Sequence, residues 1–382
     1  NNESTLPLTI SAQDGLVDQN DFFNKQVASR DVTGYFLVKN GEFAYNKSYS
    51  NGYPWGAIKR LDKYDMGVLS TLYIVFRPTK INSQFLVSYY DTTRWYREVS
   101  KNAAEGARNH GLLNIAPTDF FNTLLVVPKI VDEQQKIGSF FKQLDDTITL
   151  HQRKLAKLKE LKQGYLQKLF PRNGSKFPQL RFAGFADAWE QRKLSDIATL
   201  NARIGWQNLR TSEFLESGDY MLITGTNFHD GTVDYSTVHY VEKNRYEQDT
   251  KIQVENGSIL ITKDGTLGKV ALVQGLNMPA TLNAGVFNVK IKDPETIDVD
   301  YVYQYLAAPF LMKYANAKST GGTIKHLNQN ILIDFPVLLP RKREQVKLAE
   351  LLNGLDNTIT LHQRKLEKLQ ELKKGYLQKM FC

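Results

Sequence analysis

The stretch LDDTITLHQRKLAKLKELKQGYLQKLF, Leu144 to Phe170, returns as LDNTITLHQRKLEKLQELKKGYLQKMF, Leu355 to Phe381, 211 positions later. Of the 27 aligned letters 22 are identical, and the five changes (Asp146/Asn357, Ala156/Glu367, Lys159/Gln370, Gln163/Lys374, Leu169/Met380) are mild. Leu144, Ile148, His151, Leu155, Leu158, Leu161, Tyr165 and Leu169 recur at intervals of three and four, with Ile137, Phe140 and Phe141 extending the stripe upstream, which is the spacing of one helical face. Pro128 precedes the first copy, Asp132 and Glu133 supply negative charge where a first turn favours it, and Pro171 stops the far end. The second copy begins just after Pro340.

A helix of about 38 residues is roughly 57 Å long and must bury its apolar stripe. The nearest matching stripe is its own repeat. A chain that leaves one helix, builds a domain and returns along the other packs the two most simply antiparallel, which relates them by a pseudo-twofold axis. The expected fold is therefore α+β. Two mixed α/β domains are held apart by two long helices that form an antiparallel coiled coil. The boundaries expected are a first domain over 1–131, a spacer over 132–170, a second domain over 171–340 and a second spacer over 341–382. Fragments of the two domains correspond: VKNGEFAYNKS (Val38–Ser48) with VENGSILITKDG (Val254–Gly265), each an Asn-Gly turn leading into an alternating strand. LSTLYIVFRP (Leu69–Pro78) corresponds to LNAGVFNVKIKDP (Leu282–Pro294), and EGARNHGLLN (Glu105–Asn114) to TGGTIKHLNQN (Thr320–Asn330).

Composition limits what such an assembly can do. The 382 residues are 42% hydrophobic and 11% aromatic, enough for two cores. A single cysteine, Cys382, excludes an internal disulfide framework. No apolar run approaches the length of a membrane span or signal h-region, so the cytoplasm is the expected location and no membrane is involved. The net charge of +9 favours a polyanionic partner, although ribosome or anionic-lipid contact would carry the same signature. The spacers hold +8 of that charge, which suits a solvated coiled-coil face as well as contact with a nucleic-acid backbone.

Catalytic signatures are missing. There is no Asn/Asp-Pro-Pro-aromatic methyltransferase motif and no glycine-rich nucleotide fingerprint after a strand. DGTLGKV (Asp264–Val270) has neither the spacing nor the hydroxyl residue of a phosphate loop. Six scattered histidines and one cysteine offer no zinc spacing. His151 and His362, on the helical stripe, read as polar seam positions that fix register.

Two paired domains, two repeated helical spacers, and a proline with a Glu-Gln pair opening each spacer (Pro128, Glu133, Gln134; Pro340, Glu344, Gln345) form a specific layout. With WEQRKLSDIA (Trp189–Ala198), ITGTNFHDGTV (Ile223–Val233) and TGGTIKHLN, it resembles the specificity subunit of a type I restriction-modification system along nearly the whole chain. The first domain departs from that pattern. It has no counterpart to FPQLRFAGFADAWEQRKLSDI and is about 40 residues shorter than the second, and with no initiating Met its amino terminus is expected to be represented only in part.

The resemblance implies a non-catalytic subunit whose two target recognition domains read a bipartite site in double-stranded DNA. No cofactor is expected in this chain; S-adenosylmethionine is expected in a methyltransferase partner, present in two copies, with restriction subunits joining the full complex. A coiled-coil scaffold without sequence-specific readout is the other class the spacers allow. Base edges are reached by Arg, Lys, Asn, Gln, Ser/Thr and His on loops or helix ends. The candidates in the first domain are Trp55, Lys59 and Arg60, then Arg94 and Arg97, then Arg108, Asn109 and His110, with Trp55 and Trp95 reading also as core. In the second they are Lys263, Thr266 and Lys269 in a hairpin, then Thr323, Lys325 and His326. Apolar spacer surface left after the helices pair invites partner helices, with Leu144, Ile148, Leu155, Leu158, Leu355, Ile359, Leu366 and Leu369 as the expected partner-binding positions. The helices are also expected to act as a ruler that fixes the unread gap between half-sites.

Overall fold

Asn40-Gly41 and Asn256-Gly257 each turn with glycine in the left-handed region, at φ +85° and +90°, a conformation that glycine enters without steric cost. They lead into Phe43–Asn46 and Ile259–Thr262. The computed structural model describes residues 3–11, 13–25, 32–48, 52–103, 113, 115–172, 174–318 and 326–381. In it, each of these two strands is the middle of an antiparallel triplet. Phe43–Asn46 lies between Ala57–Arg60 and Ile74–Phe76, and Ile259–Thr262 between Val270–Leu272 and Val286–Ile291. The first two pairs of segments matched by sequence thus occupy matched places; the third, 105–114 with 320–330, lies mostly outside the described residues.

The sequence marks both strands as alternating, which leaves open what each face meets. They alternate between two cores. Phe43 and Tyr45 enter one apolar cluster and Ala44 another; Ile259 and Ile261 enter one and Leu260 another. Period-two patterning reports that successive side chains face opposite ways, and both faces here are covered.

The chain divides into two compact units, Asn1–Arg153 with Arg364–Cys382, and Lys154–Gln363. The first adds a hairpin, Leu8–Ser11 with Gly15–Asp18, a strand pair, Phe36–Lys39 with Met66–Leu69, and the helices Ser83–Tyr90, Arg94–Asn102 and Pro117–Phe121. In the second, the triplet sits in a six-stranded sheet beside a four-stranded one among the described residues. The helices Val299–Ala307 and Phe310–Lys318 follow.

The long helices run Val131–Lys168 and Lys342–Met380, 38 and 39 residues. The units do not stop at the domain and spacer boundaries expected from sequence, because each takes in part of both helices. Within the first unit Lys373 bridges Asp145 at 2.7 Å and Asp91 at 3.0 Å, and Phe140 meets Tyr376 edge-on at 5.1 Å. Within the second unit Lys162 binds Asp356 at 2.6 Å. Lys162 and Lys373 are 211 positions apart, as are Asp145 and Asp356. One cross-helix ion pair is therefore made twice, with the helices exchanging the roles of donor and acceptor, as an antiparallel pair of repeats requires.

The Glu-Gln pairs open each helix with a second repeated device. Gln134 accepts from the Asn82 N–H at 2.9 Å and donates to the Pro128 carbonyl at 2.8 Å. Gln345 accepts from the Asp298 N–H at 2.8 Å and donates to the Pro340 carbonyl at 2.8 Å. Asn82 and Asp298 are themselves the N-caps of Ser83–Tyr90 and Val299–Ala307. Each buried glutamine thus ties the start of its long helix to the capped helix of its own unit. An aromatic closes the other end of the contact: Phe381 packs on Phe85 and Tyr89, and Phe170 on Tyr301 and Tyr305.

Candidate nucleic-acid interface

Lys59 ends up on a sheet strand facing Asp91, which it binds at 3.0 Å, and Lys373 binds the other oxygen of that carboxylate. Burial pushes the Asp91 carboxyl upward, but the two ammonium groups outweigh it and hold the group below its ordinary value. Asp145 goes the other way, since burial there exceeds what Lys373 returns. Burial alone would lower Lys373, and its two carboxylates raise it above the ordinary lysine value. Around this cluster opens a cleft of about 910 Å³, lined by Lys59, Arg94, Lys373 and Lys374 with Tyr53 and Tyr96. Arg94 and Lys374 are exposed and make no ion pair among the described residues. The cleft is a basic recess with aromatic walls, suited to a phosphate-bearing chain.

Of the first-domain candidates, the structure brings Lys59 and Arg94 to this cleft. Arg97 is exposed on the Arg94–Asn102 helix and does not line it. Arg60 is taken up locally: its guanidinium binds Asp62 at 2.7 Å, Ser83 at 3.0 Å and Gln84 at 2.8 Å. This corrects the picture of a free base-reading arginine, since a planar donor fork held on three sides has little reach left. Trp55 is half-buried against the core, its carbonyl accepting from Tyr45, and Trp95 is 3% exposed with its indole N–H on the Tyr90 carbonyl. Arg108, Asn109 and His110 lie outside the described residues. Sequence reasoning missed Lys373 and Lys374, which look like any other lysine on a solvated helix. Lys374 replaces the Gln163 of the first copy, a departure from the repeat that could have marked it.

In the second unit the hairpin candidates do gather. Leu327 donates its N–H to the Lys263 carbonyl at 3.0 Å, and His326 meets Asp264 at 2.6 Å, which sets His326 beside the turn carrying Thr266 and Lys269. Both of those are exposed. Lys263 is half-buried with its ammonium 5.7 Å from the Phe287 ring. Gly265 and Gly268 hold the turn at positive φ, and a Cβ at Gly268 would stand 2.2 Å from the Met312 sulfur. Thr323 and Lys325 lie outside the described residues. Arg203, by contrast, is 1% exposed, bonded to the Leu282 carbonyl at 2.9 Å and the Thr281 hydroxyl at 3.2 Å, and serves the core.

Four of the eight expected partner-binding positions are buried within the chain itself: Leu144, Ile148, Leu155 and Leu366, at 7–8% exposure. They supply the seam and leave no surface to a partner. Leu158, Leu355, Ile359 and Leu369 are half-buried. The open apolar positions are Leu150 and Leu361, 63% and 66% exposed, and Leu161 and Leu372, 46% and 48%; each pair is again 211 positions apart. Among the described residues no three His, Cys, Asp or Glu side chains gather as a metal site, and no helix is long and apolar enough to cross a membrane.

Known proteins share this arrangement. The chain is 16% identical to the S subunit of a type I restriction-modification system from M. genitalium, with a TM-score of 0.59 over 94% of this chain and 87% of that one. In sequence it is 22% identical over 272 residues to the type I restriction enzyme MjaVIII specificity subunit of Methanocaldococcus jannaschii. It is 27% identical over 172 residues to the EcoR124I/EcoR124II specificity subunit of Escherichia coli. These matches take in 69% and 42% of this chain, and 62% and 42% of the relatives, so the chain spans less than two thirds of the length of these curated relatives. The family described as type I restriction modification DNA specificity domain matches residues 27–160 and 186–371, most of both units, and the chain belongs to that family.

Proposed function

We propose that this chain is the DNA-reading, non-catalytic subunit of a type I restriction-modification complex, with each unit reading one half of a bipartite target in double-stranded DNA. The observation that carries this reading is a duplicated scaffold bearing unlike surfaces. The glutamine clamp and the lysine-aspartate bridge are the same in both units. What the units expose differs: a basic aromatic cleft with Arg94 and Lys374 in one, and a glycine-held turn with Lys269 and His326 in the other. Conserving a frame while varying its cationic loops suits two readers of different sequences. Methyl transfer and cleavage then fall to partners, two methyltransferase subunits that carry S-adenosylmethionine and the restriction subunits, in the cytoplasm. The exposed pairs Leu150/Leu361 and Leu161/Leu372 offer the two methyltransferase copies equivalent footholds.

Methylation mapping in cells that carry this subunit with its methyltransferase tests the reading. A two-part motif is expected, and Lys269→Ala with His326→Ala should relax one half while the other stays fixed; a base contact is worth about 1–3 kcal/mol. A motif unchanged by the substitutions, or relaxed in both halves, would overturn it.

A further inference from the structure

Three turns of the second unit meet at one end of its sheets. Met221–Ile223 runs into the turn Gly225–Asn227, Ile259–Thr262 into the turn that carries Lys263, Thr266 and Lys269, and Ala280–Leu282 into residues 283–285. Backbone bonds tie them to one another: Asn283 donates its N–H to the Ile223 carbonyl at 3.0 Å, and Lys263 to the Gly285 carbonyl at 2.9 Å. The first two turns also touch, since a Cβ on Gly225 would lie 2.8 Å from Thr262 Cγ2. Thr262 braces the lysine turn in its own right, donating its hydroxyl to the Thr266 carbonyl and accepting the Lys269 N–H at 2.9 Å. Thr226, the residue after Gly225, is exposed at this same end.

The proton of the Thr226 hydroxyl is spoken for from within the fold. Asn227 is 2% exposed, and its amide nitrogen donates to the Thr237 carbonyl at 3.0 Å and the Thr237 hydroxyl at 3.1 Å. That fixes the amide with Oδ1 toward Thr224, where it accepts the Thr224 N–H at 2.8 Å and lies 2.9 Å from Thr224 Oγ1. An amide oxygen carries no proton, so this second bond uses the single proton of the Thr224 hydroxyl. Thr224 Oγ1 and Thr226 Oγ1 are 2.7 Å apart. With the Thr224 proton already committed, the proton between these two oxygens is the one on Thr226. A hydroxyl ordinarily turns to donate or accept as its partner requires. The Thr226 hydroxyl donates inward, and what it offers to solvent is a lone pair.

We propose that Thr226 reads an amino group on a base edge of the second unit's half-site, adenine N6 or cytosine N4, and that Thr224 and Asn227 position its hydroxyl for that task. The inference rests on the DNA reading proposed above and deepens it. In the major groove adenine and cytosine present an amino donor where thymine and guanine present a carbonyl acceptor. A fixed acceptor bonds to the first kind and meets the lone pairs of the second. It therefore tells A·T from T·A, and C·G from G·C, by the strand on which the amino group stands. Lys269 on the neighbouring turn can only donate. The two turns thus divide the two polarities of the base edges between them.

The test maps methylation by the full chain with its methyltransferase, and then measures binding to the mapped duplex and to one with a single base pair exchanged between strands. Thr226→Ser should keep the parent motif. Thr226→Val should relax one base pair, in the half that Lys269→Ala with His326→Ala relaxes, admit that pair with its strands exchanged, and weaken binding to the parent site about fivefold, the net worth of one hydrogen bond. Thr224→Val takes away the oxygen that receives the Thr226 proton, so the freed hydroxyl can donate or accept. That variant should bind both orientations of the pair with nearly the parent affinity, a loss of discrimination without loss of binding that a purely structural role would not produce. The other half-site, unchanged in every variant, reports that the chain is folded. A parent with no two-part motif would sink the DNA reading and this inference with it. A two-part motif that Thr226→Val leaves unchanged or relaxes in both halves, or a Thr224→Val chain that loses parent-site affinity as Thr226→Val does, would sink this inference alone.

Discussion

Lys373 shows what a single side chain contributes here. It is 20% exposed and binds two carboxylates from different segments of the first unit, Asp91 and Asp145. Replacing it with methionine leaves both carboxylates with less compensation and should cost about 2 kcal/mol at neutral pH, the range of hydrogen bonds to charged groups. The pH dependence has a definite form. Asp91 is depressed in the folded chain, so its stabilisation is present above the unfolded carboxylate value and is lost as pH falls through the folded one. Lys373 is raised, so its contribution is present below the unfolded lysine value and is lost as pH climbs through the folded one. Asp145, raised by burial, opposes Asp91 on the acid side. Urea denaturation of parent and Lys373→Met should therefore differ most between the carboxylate and lysine ranges and converge in alkali. A gap that stayed constant into alkali would mean that packing, and not charge, holds this corner together. The same residue marks a limit of sequence reading: Lys59 stands among the sequence candidates, whereas Lys373, which binds the same carboxylate, is one of a row of helical lysines. Arg60 erred the other way, because sequence shows a donor and not the Ser83 and Gln84 that occupy it.

At the scale of elements, the two long helices were legible because an apolar stripe repeated with one mild change, Leu169 to Met380, has few other uses. The seam positions Leu144, Ile148, Leu155 and Leu366 follow from the stripe, but which leucines remain outside does not. That depends on how two cylinders rotate against each other, and heptad spacing leaves it open. Leu150 and Leu161 lie eleven residues apart, close to three full turns, and so share one face of their helix; Leu361 and Leu372 repeat the geometry. Leu150→Asp with Leu361→Asp should leave the chain folded, since neither residue is buried, and should weaken assembly with a methyltransferase partner at least tenfold, about 1.4 kcal/mol. Co-purification with unchanged stoichiometry and affinity would remove these leucines from the interface. The central strands were legible as strands but not in their surroundings. Alternation names two faces, and only packing decides whether the second face meets water or, as with Ala44 and Leu260, another core.

For the molecule as a whole, helix length is the quantity that function would read. A 38-residue helix spans roughly 57 Å, and on the proposed reading of two half-sites this length, at 3.4 Å per base pair, would cap their separation at about 17 base pairs. Inserting four residues after Leu158 and after Leu369 adds about 5.4 Å to both helices. The preferred gap in the methylated motif should grow by about one or two base pairs while both half-sites keep their letters. A folded, extended protein that keeps the original gap would show that the helices do not measure. The division of the chain also bears on its synthesis. Arg364–Cys382 belongs to the same compact unit as Asn1–Arg153, so that unit closes only after Lys154–Gln363 has been made. Lys154–Gln363 is complete earlier. A growing chain therefore matures in the reverse of its reading order, and for that interval Phe85 and Tyr89 lack the Phe381 that covers them. Chains released after Gln363 should resist protease over the second unit and be cut readily in the first, whereas equal resistance in both would mean that the leading portion folds unaided.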